Sequence, residues 1–254
     1  RTCLGEVLSN ETYPLLWEKG DRIIIAPSGK PATSYYETQG HDNNVAEFRF
    51  ISGLEGNEMP PENTALTALY PADAYKFADG KHTINIPENQ TYRKNNISSG
   101  TMPMIAGATS RELSFRNVCG ILRLRLNTLE QDIRLSSIKV AADKGLAGPI
   151  ATFEGTEVTW NNPDGETGHG ITLSCDGTAL SPEPKDFYIV LPPGNYSGFK
   201  IQLETGGPDK KSYRMDGVLE IERSAITTVN LDLAQFHGGS MEDVTDGDKH
   251  HALT

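Results

Sequence analysis

From Leu122 to Leu126 the chain alternates without a fault: Leu122-Arg123-Leu124-Arg125-Leu126. Successive side chains of an extended strand point to opposite faces, so this run places its leucines on one face and its arginines on the other. A helix cannot separate those residues. The same period of two recurs where Phe199, Ile201 and Leu203 alternate with Lys200 and Gln202, and where Leu219 and Ile221 alternate with Glu220 and Glu222. It recurs again where Val229, Leu231 and Leu233 alternate with Asn230 and Asp232. Earlier strand signals are Ile23-Ile24-Ile25, Phe48-Arg49-Phe50-Ile51, Thr83-Ile84-Asn85-Ile86 and Val158-Thr159-Trp160. The apolar phase changes between Ile133–Leu135 and Ile138–Val140, at Ser136-Ser137, and such a change reads as a bulge. Two short segments read as helical, Glu62–Leu69 and Thr128–Asp132. Short strands separated by Gly, Pro and Asn turns predict an all-β chain of antiparallel β-sandwiches.

A length of 254 residues allows one large domain or two modest ones. The polar, turn-rich stretch Pro87–Gly107 gives way to the densest strand signal at Leu113, which sets a boundary near Thr109-Ser110. The reading is therefore an N-terminal sandwich over 1–109, a C-terminal sandwich over 110–237 and an acidic, flexible tail over 238–254. That tail carries Glu242, Asp243, Asp246 and Asp248 against Lys249. The net charge of −11 argues against nucleic acid as a partner, because a phosphate-binding surface needs a basic field. No apolar run approaches the ~20 residues of a spanning helix. The chain opens on Arg1-Thr2-Cys3-Leu4-Gly5 without a Met, which reads as a mature or trimmed form.

The residues of catalysis do not assemble. Ser28-Gly29-Lys30 lacks the preceding glycine of a phosphate loop and is followed by Pro31. Neither a GxSxG elbow nor an HExxH helix occurs. Cys3, Cys119 and Cys175 are too far apart for a metal or redox motif, and Cys119 reads as a core residue. His41, His82 and His169 stand in polar surroundings that read as loops, while His250-His251 belong to the acidic tail. Carboxylate pairs such as Asp42 with Glu47 and Asp164 with Glu166 are common in an acidic chain and carry no glycosidase signal. No catalytic, cofactor-binding or metal-binding residue is assigned, and a non-enzyme without cofactors is expected. For sugar binding the candidate aromatics are Tyr35-Tyr36, Tyr92 and Tyr196. Tyr35-Tyr36 lie in the candidate ligand loop Ser34–Asn44, and Asn161–Gly170 is a second such loop. Trp17 and Trp160 read as core residues.

Several separated pieces, taken in order, resemble the fimbrillin family of Bacteroidetes, the subunits of type V pili and their surface-exposed relatives. They are Leu16-Trp17-Glu18-Lys19-Gly20-Asp21-Arg22-Ile23, Leu69-Tyr70-Pro71-Ala72, Met102-Pro103-Met104 and the run from Leu113 to Leu124. Further on come Leu146-Ala147-Gly148, Phe187 to Tyr196 and Leu219 to Asn230, so the likeness covers almost all of residues 13–233. The resemblance implies two β-sandwich domains, the second transthyretin-like, and export to the outer membrane at the cell surface by a lipoprotein route. It also implies partners: other fimbrial subunits, joined by strand exchange. In that exchange an upstream strand is removed by cleavage after a basic residue, and a neighbour's C-terminal strand fills the groove. Arg1, the sole basic residue before Lys19, is the candidate processing position. Leu4, Val7 and Leu8 are the candidate edge-strand and groove residues. The tail after Leu233 is more polar than a donor strand. The function expected is a structural or adhesive fimbrial subunit, or an accessory tip or anchor subunit. The alternative is a surface lipoprotein that binds glycan or host protein through its loops.

Overall fold

The computed structural model describes residues 2–8, 12–32, 34–40, 43–53, 60–163, 169–206 and 212–233. Among them there is no α-helix; the regular structure is strand, with one short 3-10 helix at Ala72–Ala74. In chain order the strands of the first part are β1 (Cys3–Leu4), β2 (Leu15–Leu16), β3 (Arg22–Pro27), β4 (Ser34–Thr38), β5 (Phe48–Gly53) and β6 (Leu66–Tyr70). There follow β7 (Tyr75–Ala78), β8 (Lys81–Ile86), β9 (Asn89–Thr91), β10 (Met104–Ala108), β11 (Arg116–Asn117), β12 (Gly120–Asn127) and β13 (Arg134–Ala141). The rest are β14 (Gly148–Glu154), β15 (Glu157–Trp160), β16 (Ile171–Ala179), β17 (Lys185–Leu191), β18 (Gly194–Thr205), β19 (Ser212–Ile221) and β20 (Ile226–Asp232).

These strands form a six-stranded sheet of order β11-β10-β6-β3-β4-β5 and a four-stranded sheet β15-β14-β8-β7. A five-stranded sheet β19-β18-β13-β16-β9, a three-stranded sheet β17-β12-β20 and the pair β1-β2 complete the set. The six- and four-stranded sheets meet where Gly155 N–H donates to the Thr67 hydroxyl at 3.1 Å, and where Ala32 N–H donates to the Tyr75 hydroxyl at 2.7 Å. The three- and five-stranded sheets meet where the Tyr92 ring packs on Phe187 at 4.8 Å between centroids. Backbone ladders run across the Thr109–Ser110 position: β8 pairs with β14, β9 with β16 and β10 with β11.

β12 behaves as its alternation requires, with Leu122, Leu124 and Leu126 wholly buried. Leu124 stands opposite Phe187 on one side and Val229 on the other, so burial of that row excludes water from all three strands. The bulge expected at Ser136-Ser137 is present, as a register shift between Leu135 and Ser137 against both neighbouring strands.

Three features differ from the sequence reading. Glu62–Leu69 is not helical; Leu66–Tyr70 is a strand buried along its whole length, hydrogen-bonded between β3 and β10. A strand covered on both faces lacks the alternation of a half-buried one, as here where Thr67 alone interrupts the apolar residues, and periodicity cannot tell it from a helix. Thr128–Asp132 is a turn, where the Thr128 hydroxyl accepts from Glu130 N–H at 3.1 Å and Asp132 takes a positive φ of 62°. The sheets are also not purely antiparallel, because β12–β20 and β9–β16 run parallel.

Candidate strand-docking site

The N-terminal strand is short and firmly held. Thr2, Cys3 and Leu4 are buried, and β1 pairs with β2 through Cys3↔Leu16 and Leu4↔Leu15. The opposite edge of β1 is closed by a side chain: Leu4 N–H donates to Asn96 Oδ1 at 2.8 Å, and Asn96 Nδ2 donates to the Leu4 carbonyl at 3.2 Å. Two residues earlier, Thr2 N–H donates to the Tyr70 hydroxyl at 2.8 Å, and that hydroxyl donates to Asp21 Oδ1 at 2.7 Å. The other oxygen of the buried Asp21 accepts Glu18 N–H at 2.8 Å, so the turn before β3 and the start of the chain share one network. Satisfying a buried carboxylate in this way avoids a desolvation cost of several kcal/mol.

The candidate edge residues therefore divide. Leu4 joins the core, whereas Val7 and Leu8 are 54 % and 48 % exposed. Past Leu4 the chain stays tied to the segment before β2, with Gly5 N–H donating to the Pro14 carbonyl and Leu8 N–H to the Thr12 carbonyl, both at 2.8 Å, while the Val7 and Leu8 side chains face solvent. Arg1 lies outside the described residues.

Trp17, directly after β2, is the centre of an aromatic knot. It meets Phe48, Tyr70 and Phe115 edge-on, with centroids 5.0, 5.2 and 5.4 Å away. Beside it runs a cleft of ≈ 620 Å³ with Leu15, Trp17 and Phe115 among its apolar lining and Arg116, Asn117 and Arg223 among its polar groups. β11 is the last strand of its sheet and borders this cleft, and Arg223 Nε donates to the Asn117 carbonyl. A larger, polar cleft of ≈ 840 Å³ lies around Arg22 and Arg93, whose charges are already paired with Glu37 at 2.9 Å and Glu18 at 3.1 Å.

The other end of the six-stranded sheet is β5, with Phe50 40 % and Ile51 42 % exposed. Tyr35 and Tyr36 do not sit on a loop; both belong to β4, beside β5. As strand neighbours they point to opposite faces: Tyr36 is buried against Phe50 at 5.8 Å, and Tyr35 is exposed. The two rings cannot form one platform under a sugar. Tyr92 packs on Phe187, and the buried Tyr196 hydroxyl donates to the Pro192 carbonyl at 2.8 Å; both serve the core. Residues 41–42 and 164–168 of the two candidate ligand loops lie outside the described residues.

His82 is a buried residue of β8 and not a loop residue, enclosed by Tyr75, Phe77 and Phe153. Burial holds its pKa below the usual histidine value, against the pull of Glu154 3.6 Å away. Cys119 and Cys175 are buried, and burial pushes both thiols up, that of Cys175 to about 12. Both are inert as nucleophiles. No group of three or more His, Cys, Asp and Glu suited to a metal ion occurs among the described residues. Sequence reasoning missed Asn96, Arg116 and Arg223, because an amide that caps a strand or a guanidinium at a cleft has no local signature.

No protein-family model matches this sequence, and no curated protein matches it. Solved structures do share its fold. A "putative cell adhesion protein" from Bacteroides ovatus superposes with a TM-score of 0.58 at 13 % identity, covering 98 % of this chain and 95 % of that one. A second protein of the same description, from Bacteroides uniformis, gives 0.55 at 16 % identity, covering 92 % and 93 %. The C-terminally truncated tip fimbrial protein Mfa3 of Porphyromonas gingivalis superposes at 0.32 and 7 % identity, covering 90 % and 92 %.

Proposed function

We propose that this chain is a structural or adhesive subunit of the bacterial cell surface, a pilin-like or accessory tip or anchor subunit that joins its neighbours by strand exchange. It would be exported as a lipoprotein precursor and displayed at the outer membrane. In this reading residues 1–109 and 110–237 are two sandwich units, the second transthyretin-like, that trade strands across the division. The observation that carries the reading is the N-terminal strand. β1 contributes a buried Leu4 to the core, and beyond its two-residue ladder the N-terminal segment is held by the Asn96 amide, by Thr2 N–H on the Tyr70 hydroxyl and by Gly5 and Leu8 N–H on the carbonyls of Pro14 and Thr12. Removing it uncovers the β2 edge and the apolar positions Leu15 and Trp17, which is a template for another chain's strand. The sequence resemblance and the shared fold with cell adhesion proteins agree with it.

The test takes a longer precursor carrying a specific protease site after Leu8, cleaves it there so that β1 is severed from the chain, and follows particle size by chromatography and microscopy. Ordered oligomers that appear only after cleavage are expected. A monomer that keeps its melting temperature after losing residues 1–8 would defeat strand exchange.

A second reading, a binding module for glycan or host protein, draws on the exposed Tyr35, opposite Ser52 of the edge strand β5. Saturable binding on a glycan array, abolished by Tyr35→Ala, would favour it.

A further inference from the structure

The cleft beside Trp17 differs in charge from the rest of the molecule. The chain carries a net −11, yet none of the described residues lining this cleft is acidic. Arg22, Arg93 and Arg125 each lie 2.9–3.1 Å from a carboxylate. Arg116 and Arg223 have no carboxylate within ion-pair distance among the described residues. Arg223 instead spends its Nε–H on the neutral carbonyl of Asn117, a buried residue of the outermost strand β11. The wall facing these cations is apolar, formed by Leu15, Trp17 and Phe115.

The cleft is also built to take an extended chain. Leu113 to Asn117 line it consecutively, and β11 pairs with β10 on one side only. Five extended residues span about 16 Å, so a strand added to β11 would place alternate side chains against the apolar wall. Such a strand would take over the Asn117 carbonyl from Arg223. The released guanidinium then needs an anion, and a hydrogen bond from guanidinium to carboxylate is roughly twice as strong as one to a neutral acceptor.

Resting on the strand-docking reading above, we infer that this cleft selects an extended peptide segment of a partner protein that alternates apolar side chains and carries a carboxylate facing Arg116 and Arg223. The apolar wall supplies area, the β11 edge supplies main-chain hydrogen bonds, and the two arginines choose among strands by charge.

The test uses the full chain in a Trp160→Phe background, so that fluorescence reports Trp17. The probes are a synthetic Val-Thr-Leu-Asp-Val-Thr peptide and its counterpart with Asn in place of Asp, each titrated at low salt. The Asp peptide should bind about tenfold more tightly, the ratio that 1.4 kcal/mol represents. The ratio should fall to within about twofold in Arg116→Gln and in Arg223→Gln. Arg116 is exposed, so its variant folds even if the second does not, and thermal melts check both. Equal binding of the two peptides overturns the carboxylate selection and leaves strand docking standing. Binding of neither peptide, with oligomers still forming after cleavage, overturns the placement of the site in this cleft. Loss of both results removes the strand-docking reading itself.

Discussion

The Asn96 side chain holds Leu4 by both of its main-chain groups, at 2.8 Å and 3.2 Å, across 92 residues of sequence. It stands in for a neighbouring strand. Gln90 does the same at another sheet edge: Val190 N–H donates to Gln90 Oε1 at 3.0 Å, and Gln90 Nε2 donates to the Val190 carbonyl at 2.9 Å. Both amides come from one turn-rich segment, so it closes the edge of β1 and the edge of β17 together. Edges closed by a single amide are weaker than edges closed by a strand, and one of them holds the proposed exchange strand.

Asn96→Ala should therefore loosen the N-terminus more than the whole. Losing its two bonds to Leu4 and the one from Ile97 N–H to the same amide oxygen, at about 1 kcal/mol each, predicts a loss of roughly 1–3 kcal/mol. Amide exchange at Cys3–Gly5 should accelerate, while exchange in β12 changes only by the global amount. Unchanged protection at Leu4 would show that β2 alone holds the strand.

The two arginines of β12 should behave differently. Arg125 is exposed and paired with Asp186 at 2.9 Å, so Arg125→Ala should cost under about 1 kcal/mol. Arg123 is only 6 % exposed; its Nε donates to the Thr228 hydroxyl at 2.9 Å and its Nη1 to that of Tyr13 at 3.4 Å. Arg123→Ala removes these bonds and the packing of its stem, at roughly 2 kcal/mol. Leu124→Ala should cost about 2–5 kcal/mol. Denaturant melts of the three variants should rank them in that order.

Stability should fall on mild acidification through His82. Its pKa is lowered in the folded state by burial, so the unfolded chain takes up a proton first, near the ordinary value of 6.5. The contribution of neutral His82 is thus complete above pH 6.5 and is lost as pH falls below it toward the folded pKa. Glu154 opposes the shift, and the Tyr75 hydroxyl, 3.2 Å from Nδ1, is the other titratable group facing the ring. His82→Gln should flatten the slope of unfolding free energy against pH below about 6.5. An unaltered slope would assign the acid sensitivity to carboxylates.

Gly120 tests how tightly the start of β12 meets the turn after β19. A Cβ there would lie 2.2 Å from the Glu222 carbonyl oxygen and 2.7 Å from Ile221 Cγ2. Backbone cannot swing aside as a flexible side chain can, so Gly120→Ala should cost on the order of 3 kcal/mol. A thermal melt within a degree or two of the parent would show that the two segments separate freely.

The sequence by itself determined which side chains share a face. Alternation is a local property of an extended chain, and so the buried leucines of β12, the strand character of β18 to β20 and the bulge at Ser136-Ser137 were all legible without a partner. Only the tertiary structure decided what each face meets. It sets β12 parallel to β20, it buries Arg123 on the face that alternation marks as polar, and it encloses His82 between aromatic rings of β7 and β14. It also turns Tyr36 inward, away from its neighbour Tyr35, and leaves Val7 and Leu8 in solvent while Leu4 is buried. The physical reason is range. Direction of pairing, burial of a cation and capping of a strand edge depend on groups about a hundred residues away, and no short stretch of this chain carries their positions.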